Sequence, residues 1–187
     1  MTPTTVHLPV LLGTVRQERR SELVARWLID LVGNRPDAST ELIDLRAIDL
    51  RLDDAGRNSA DPDFAAAVER ADGLLMVVPE YNGSYPGLLK HALDTLMKEY
   101  LHKSVGLATV AAGGLGGARM VPTLLPVLRD FGLVTIRRDL TVSRVRDAFD
   151  ENGEPDDPRL TQRAEGFLDE LLWMTRVLKA GRTDGGN

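Results

Sequence analysis

GLLMVVPEYNGSYPGLLKHALD, residues Gly73–Asp94, changes character twice. Gly73 to Val78 is a short run of small and apolar residues and reads as a buried strand. It ends abruptly in Pro79-Glu80-Tyr81-Asn82-Gly83-Ser84-Tyr85-Pro86. The two prolines fix φ at both ends of this segment, and Asn-Gly is a turn pair. Leu88, Leu89, Ala92, Leu93, Leu96, Met97 and Tyr100 then recur at helical spacing, which predicts one amphipathic helix over Leu88 to Tyr100. A strand, a stiff polar loop and a helix in that order form the repeating unit of a parallel sheet.

The same unit recurs on both sides. Val6 to Gly13 is short, apolar and closed by glycine. Leu23, Val24, Trp27, Leu28, Leu31 and Val32 follow at helical spacing. Thr40 to Leu45 reads as a second strand, and Asp61 to Ala71 as a helix with Asp61 as N-cap and Pro62 in its first turn. Gly73 to Val78 is then the third strand and Val105 to Ala111 the fourth. A helix is expected from about Leu115 to Phe131, closed by Gly132, although Pro122 and Pro126 demand a kink or a late start. Leu133 to Ile136 starts a fifth strand, and Pro158 to Ala180 is a long last helix. The expectation is one α/β domain over residues 1–187: a three-layer sandwich with a five-stranded parallel sheet and helices on both faces. Residues 1–5 and the Gly-rich 181–187 are expected to be loose.

Composition narrows the chemistry. The chain has 187 residues and a net charge of −5, with no basic tract, which argues against nucleic-acid partners. No apolar run approaches the roughly 18 residues of a membrane span. The start shows no signal-peptide pattern, so a cytoplasmic protein is expected. Cysteine is absent, and His7, His91 and His102 are scattered. Disulfides and thiolate chemistry are therefore excluded, and no metal site is expected. Any redox chemistry must come from a bound cofactor.

In an open parallel sheet, ligands sit beyond the carboxyl ends of the strands. That brings forward three loops. Gly13-Thr14-Val15-Arg16-Gln17-Glu18-Arg19-Arg20-Ser21 joins guanidinium groups and hydroxyls to a helix N-terminus, which suits a phosphate. A solvated turn with Ser21 as a simple N-cap is the competing reading. Ala111-Ala112-Gly113-Gly114-Leu115-Gly116-Gly117 lets backbone N–H groups approach a ligand, or is a flexible linker. In the loop after the third strand, Tyr81 and Tyr85 wall or cover a flat ring, or serve in ordinary packing or a subunit contact.

PEYNGSYPGLLKHALD (Pro79 to Asp94) resembles the signature of the NADPH-dependent FMN reductase family, the flavodoxin-like quinone, azo-dye and chromate reductases. GTVRQERRSELVARWL resembles the family's phosphate loop and AAGGLGGAR its third flavin loop; the likeness runs from about Val6 to Leu133. Thr14 stands where the family usually has serine, and Ser104 where a proline is common. The resemblance implies that Gly13, Thr14, Arg16, Arg19 and Ser21 hold the FMN phosphate. It implies that Pro79, Glu80, Tyr81, Asn82 and Gly83 line the isoalloxazine, largely through backbone groups, and that Ala112, Gly113 and Gly114 face its pyrimidine side. It further implies hydride transfer from NADPH or NADH to FMN and then to a quinone, azo compound, free flavin or similar small-molecule acceptor, with no catalytic side chain, in a homodimer or homotetramer whose interface draws on Leu88 to Tyr100. Two rivals stand beside this reading. One is a flavin-binding redox sensor with little turnover. The other is a sheet protein that uses its arginine loop for a different phosphorylated ligand.

Overall fold

The computed structural model describes residues 5–52 and 59–184. Its strands are β1 (Val6–His7), β2 (Val10–Leu12), β3 (Ala38–Ser39), β4 (Leu42–Asp44), β5 (Gly73–Pro79), β6 (Ser104–Val110), β7 (Val134–Thr135) and β8 (Leu140–Val142). All pairings between these strands are parallel. The larger sheet runs β4-β2-β5-β6-β7, with β8 also on β6; β1 and β3 pair separately. Where five strands were expected, the structure has a six-stranded sheet and a separate two-stranded one, because several of the expected strands are divided. Pro9 interrupts the first, yet the ladder continues across it: Leu8 N–H donates to the Ser39 carbonyl and Val10 N–H to that of Glu41, both at 2.8 Å. Likewise β7 and β8 lie along the same edge of β6, which extends the fifth strand of the sequence reading well past Ile136.

Strand periodicity divides the core between two faces. Leu75 and Val77 of β5 and Ala108 and Val110 of β6 pack with helices α1 (Ser21–Gly33) and α5 (Pro158–Asp184). Leu74, Met76 and Val78, with Val105 and Leu107, pack with α2 (Pro62–Arg70), α3 (Gly87–Asp94) and α4 (Val121–Asp130). Gly106 marks a close approach of α5. A Cβ there would lie 2.7 Å from Phe167 Cζ and 2.8 Å from Leu171 Cδ2. Gly106→Val should therefore overpack this face and cost about 1–3 kcal/mol, read as a lower urea midpoint at unchanged slope.

Local chemistry sets the helix ends. The Asp61 carboxylate accepts from Asp63 N–H at 3.0 Å and Phe64 N–H at 2.9 Å, as expected of an N-cap. The helix predicted over Leu88 to Tyr100 stops at Asp94. The Thr95 hydroxyl donates to the Ala92 carbonyl at 2.8 Å, and a separate 3₁₀ turn carries Lys98–Tyr100. Tyr100 is fully buried there, and most of the apolar stripe belongs to the core. The helix expected from Leu115 begins instead at Val121, so Pro122 falls in its first turn, where a missing N–H is harmless; Pro126 lies inside. Gly181 to Asp184, expected to be loose, continue α5. Residues 1–4 and 185–187 lie outside the described residues.

Candidate active site

Strands β2, β5 and β6 are neighbours, and Leu12, Val77 and Ala108 stand at one level across them. Strands lie about 4.8 Å apart, so the loops that leave these three strands start within roughly 10 Å of one another. The chain turns outward to β4 after β2 and to β6 after β5, so the connection order reverses between β2 and β5. That reversal is where open parallel sheets hold ligands.

The loops are tied to each other by side chains. Thr14, 1% exposed, shares a 2.6 Å hydrogen bond between its hydroxyl and that of Tyr81. The Arg16 guanidinium lies 3.7 Å above the Tyr81 ring. Tyr81 therefore joins the first loop to the second. Glu80 and Arg119 join the second to the third: Arg119 Nε donates to Glu80 Oε1 at 2.9 Å, and Nη2 reaches the same oxygen. Ser84 and Thr123 hydroxyls meet at 3.1 Å alongside. The segment after β8 supports the third loop, with Arg144 N–H on the Gly113 carbonyl and Val145 N–H on that of Ala111, both at 3.1 Å. Residues 140–145 thus support the candidate site.

The loop after β5 is a two-residue hairpin. Tyr81 and Ser84 exchange backbone hydrogen bonds at 2.8 and 3.1 Å, and Asn82 and Gly83 take φ of 53° and 84°. These angles explain the Asn-Gly pair, since both positions of a type I′ turn need positive φ. Glu80 N–H is held by the Val110 carbonyl at 2.9 Å, and Tyr81 N–H by the turn. Backbone donors expected from Glu80 and Tyr81 are thus already engaged. Among the described residues, the N–H groups of Asn82 and Gly83 have no acceptor, and neither do those of Ala112, Gly113 and Gly114. Gln17, Glu18, Arg19 and Arg20 present unpartnered N–H groups ahead of α1 in the same way.

The first loop differs from the phosphate reading at Arg19 and from the competing N-cap reading at Ser21. Arg19, read as a phosphate ligand, has a side chain only 4% exposed. It donates from Nη1 to Asp44 Oδ1 at 2.8 Å and to the Thr14 carbonyl at 2.7 Å, from Nη2 to Asp44 Oδ2, and from Nε to Glu22 at 3.4 Å. Its fork is directed into the protein, where it fixes the loop. Ser21 is not an N-cap: Arg20 occupies that position, and the buried Ser21 hydroxyl has no partner. Arg16, stacked on Tyr81, makes no ion pair among the described residues, and neither does the exposed Arg20 beside α1. Tyr85 packs partly against the core beneath α3. Ala112, Gly113 and Gly114 are exposed. Asp44 and Arg119 were missed as site residues. Arg119 ends the AAGGLGGAR motif, so its place was legible; Asp44 lies far from any motif. No group of three or more His, Cys, Asp or Glu suited to a metal ion occurs among the described residues.

The NADPH-dependent FMN reductase family profile matches residues 6–147. The chain belongs to this family. Within it, similarity extends to an NADPH azoreductase of Bacillus sp., 35% identical over 115 residues, 59% of this chain and 61% of the relative. This chain therefore spans less than two thirds of that relative's length. An NAD(P)H-dependent FMN reductase of Pseudomonas aeruginosa is 29% identical over 88% of this chain and 93% of its own. In structure, an NAD(P)H:acceptor oxidoreductase flavoenzyme of Paracoccus denitrificans superposes with a TM-score of 0.76 at 21% identity, covering 91% of this chain and 97% of that one, which supports the fold. This FMN reductase family chain has no described helix long and apolar enough to cross a membrane.

Proposed function

We propose that the chain is a single FMN-binding domain that works as an NAD(P)H-dependent oxidoreductase, with a quinone, azo compound or free flavin as the final acceptor. The observation that carries this reading is the set of unpartnered N–H groups on three loops that leave adjacent strands and are cross-tied by Tyr81 and by Glu80–Arg119. An FMN molecule fits what these loops offer. Arg16, the free N–H groups ahead of α1 and the orphaned Ser21 hydroxyl supply donors for a phosphate. The Asn82, Gly83, Ala112, Gly113 and Gly114 N–H groups supply donors for the acceptor atoms that dominate the edge of an isoalloxazine.

Bound FMN would supply the two-electron redox chemistry that links nicotinamide to acceptor. The protein's part is to bind and orient. Arg19 and Asp44 hold the phosphate loop in shape, while Tyr81 sets the spacing between that loop and the ring-facing hairpin. Both prolines restrict the hairpin's ends, so little ordering remains for binding to bring about. No side-chain acid or base is assigned a step. The same reading makes the protein a cytoplasmic homodimer or homotetramer; sedimentation with bound flavin tests the assembly.

The direct test is titration of apoprotein with FMN, followed by stopped-flow reduction with NADPH and with NADH. Arg16→Ala should weaken FMN by roughly 1.5–3 kcal/mol, the scale of a hydrogen bond to a charged group. Colourless protein that takes up no FMN would remove the reading, and slow reduction without acceptor turnover would recast the protein as a redox sensor.

A further inference from the structure

Glu80 is the unusual charge of the site. Its side chain is 7% exposed, while its partner Arg119 is 64% exposed. Only Oε1 is paired; Oε2 is buried and has no hydrogen-bond partner. A buried carboxylate with one oxygen unsatisfied is costly to keep. The hairpin does not require it for its shape, because the backbone of residues 80–84 is held by Val110 and by the Tyr81–Ser84 pair. Glu80 sits between Pro79 and Tyr81, on the loop that faces the proposed ring, and Arg119 closes the glycine loop opposite. The two charges therefore meet between the second and third loops, one screened by protein and the other by solvent.

We infer that the Glu80–Arg119 pair sets the reduction potential of bound FMN. This inference rests on the flavin reading above. Two-electron reduction by hydride converts oxidised FMN to its anionic reduced form while NAD(P)H becomes NAD(P)⁺, so the ring gains negative charge. The Glu80 carboxylate, held in a weakly polarisable environment, opposes that gain. Arg119 offsets part of the opposition, and because it is exposed, the offset is incomplete and sensitive to salt. The pair is thus an electrostatic control on the cofactor, and both residues act through the ring's surroundings, without touching the acceptor.

The measurement is the ratio of dissociation constants for oxidised and reduced FMN, taken from anaerobic titrations of each variant and checked by dye-coupled potentiometry. Glu80→Gln should favour the reduced form by about tenfold in that ratio, equivalent to about +30 mV for a two-electron couple. Arg119→Met should shift it about tenfold the other way, and Arg119→Lys should restore the wild-type ratio. Arg119 is exposed, so its variants test the idea even where Glu80→Gln folds poorly. A purely structural pair would weaken both flavin states alike and leave the ratio unchanged. Ratios within twofold of wild type in the Arg119→Met protein, or shifts of the same sign in both charge-removing variants, overturn the inference. Wild-type protein that binds neither flavin state instead overturns the function proposed above.

Discussion

Arg19→Ala should lower the unfolding free energy of the flavin-free protein by about 3 kcal/mol, although the residue lies in a loop. A loop arginine usually contributes little, because exposed ion pairs are worth at most about 1 kcal/mol. Arg19 differs because its side chain is 4% exposed and both carboxylate oxygens of Asp44 face its fork. Truncation leaves Asp44 without its counter-charge and the Thr14 carbonyl without a donor. Loss of one partner of a buried pair costs about 3–5 kcal/mol, and the partial exposure of Asp44 places this case at the low end. Arg19→Lys should recover only part of the loss, since a single ammonium cannot match the fork. Urea unfolding of apoprotein decides between the two roles. A direct phosphate ligand would leave apoprotein stability unchanged and weaken FMN binding alone. A loss below about 1 kcal/mol would therefore return Arg19 to the phosphate.

The second large effect is a pH dependence at the opposite end of the sheet. Lys103 is 7% exposed, and its ammonium donates to the Val68 and Glu69 carbonyls, at 2.6 and 2.8 Å, at the end of α2. Burial, reinforced by the nearby Arg182 charge and opposed by Asp72, Glu69 and Glu99, lowers its pKa from 10.5 to about 8. Between these values the unfolded chain binds a proton that the folded chain does not. Stability should therefore rise as pH goes from about 8 to 10.5, with the full burial penalty present below this window and absent above it. The rise attributable to Lys103 is roughly 3 kcal/mol at about 1.36 kcal/mol per pH unit. Lys103→Met should remove it, so the difference between wild-type and variant stabilities, followed by urea unfolding from pH 7 to 11, isolates the group. A difference that stays flat across the window would mean that the ammonium is well solvated despite its burial.

Much of the fold was legible because its signals are local. Apolar runs of strand length, helical spacing in Leu23–Val32 and Ala164–Leu172, and the Asp61-Pro62 start each depend on a few neighbouring residues. The misplacements have local causes as well. The Thr95 hydroxyl ended a helix whose apolar spacing ran on to Tyr100, because the spacing records burial and Tyr100 is buried from a 3₁₀ turn instead. Pro122 delayed α4 to where its ring fits the first turn. Pro9 divided a strand without interrupting its hydrogen-bonded neighbours.

At the candidate site the sequence by itself determined which loops leave the carboxyl ends of neighbouring strands and what residue types they carry, since a strand's end and a glycine or arginine content can be read along the chain. Which groups remain free was decided only by the tertiary structure. Arg16 and Arg19 are three residues apart and chemically identical, yet Asp44 on a neighbouring strand engages one fork and leaves the other over Tyr81. Glu80 became a buried, half-paired charge only when Arg119, thirty-nine residues away, came to lie across from it. Charge and hydrogen-bonding capacity belong to the residue. Their availability depends on what the fold brings within about 3 Å, and no pattern along the chain encodes that distance.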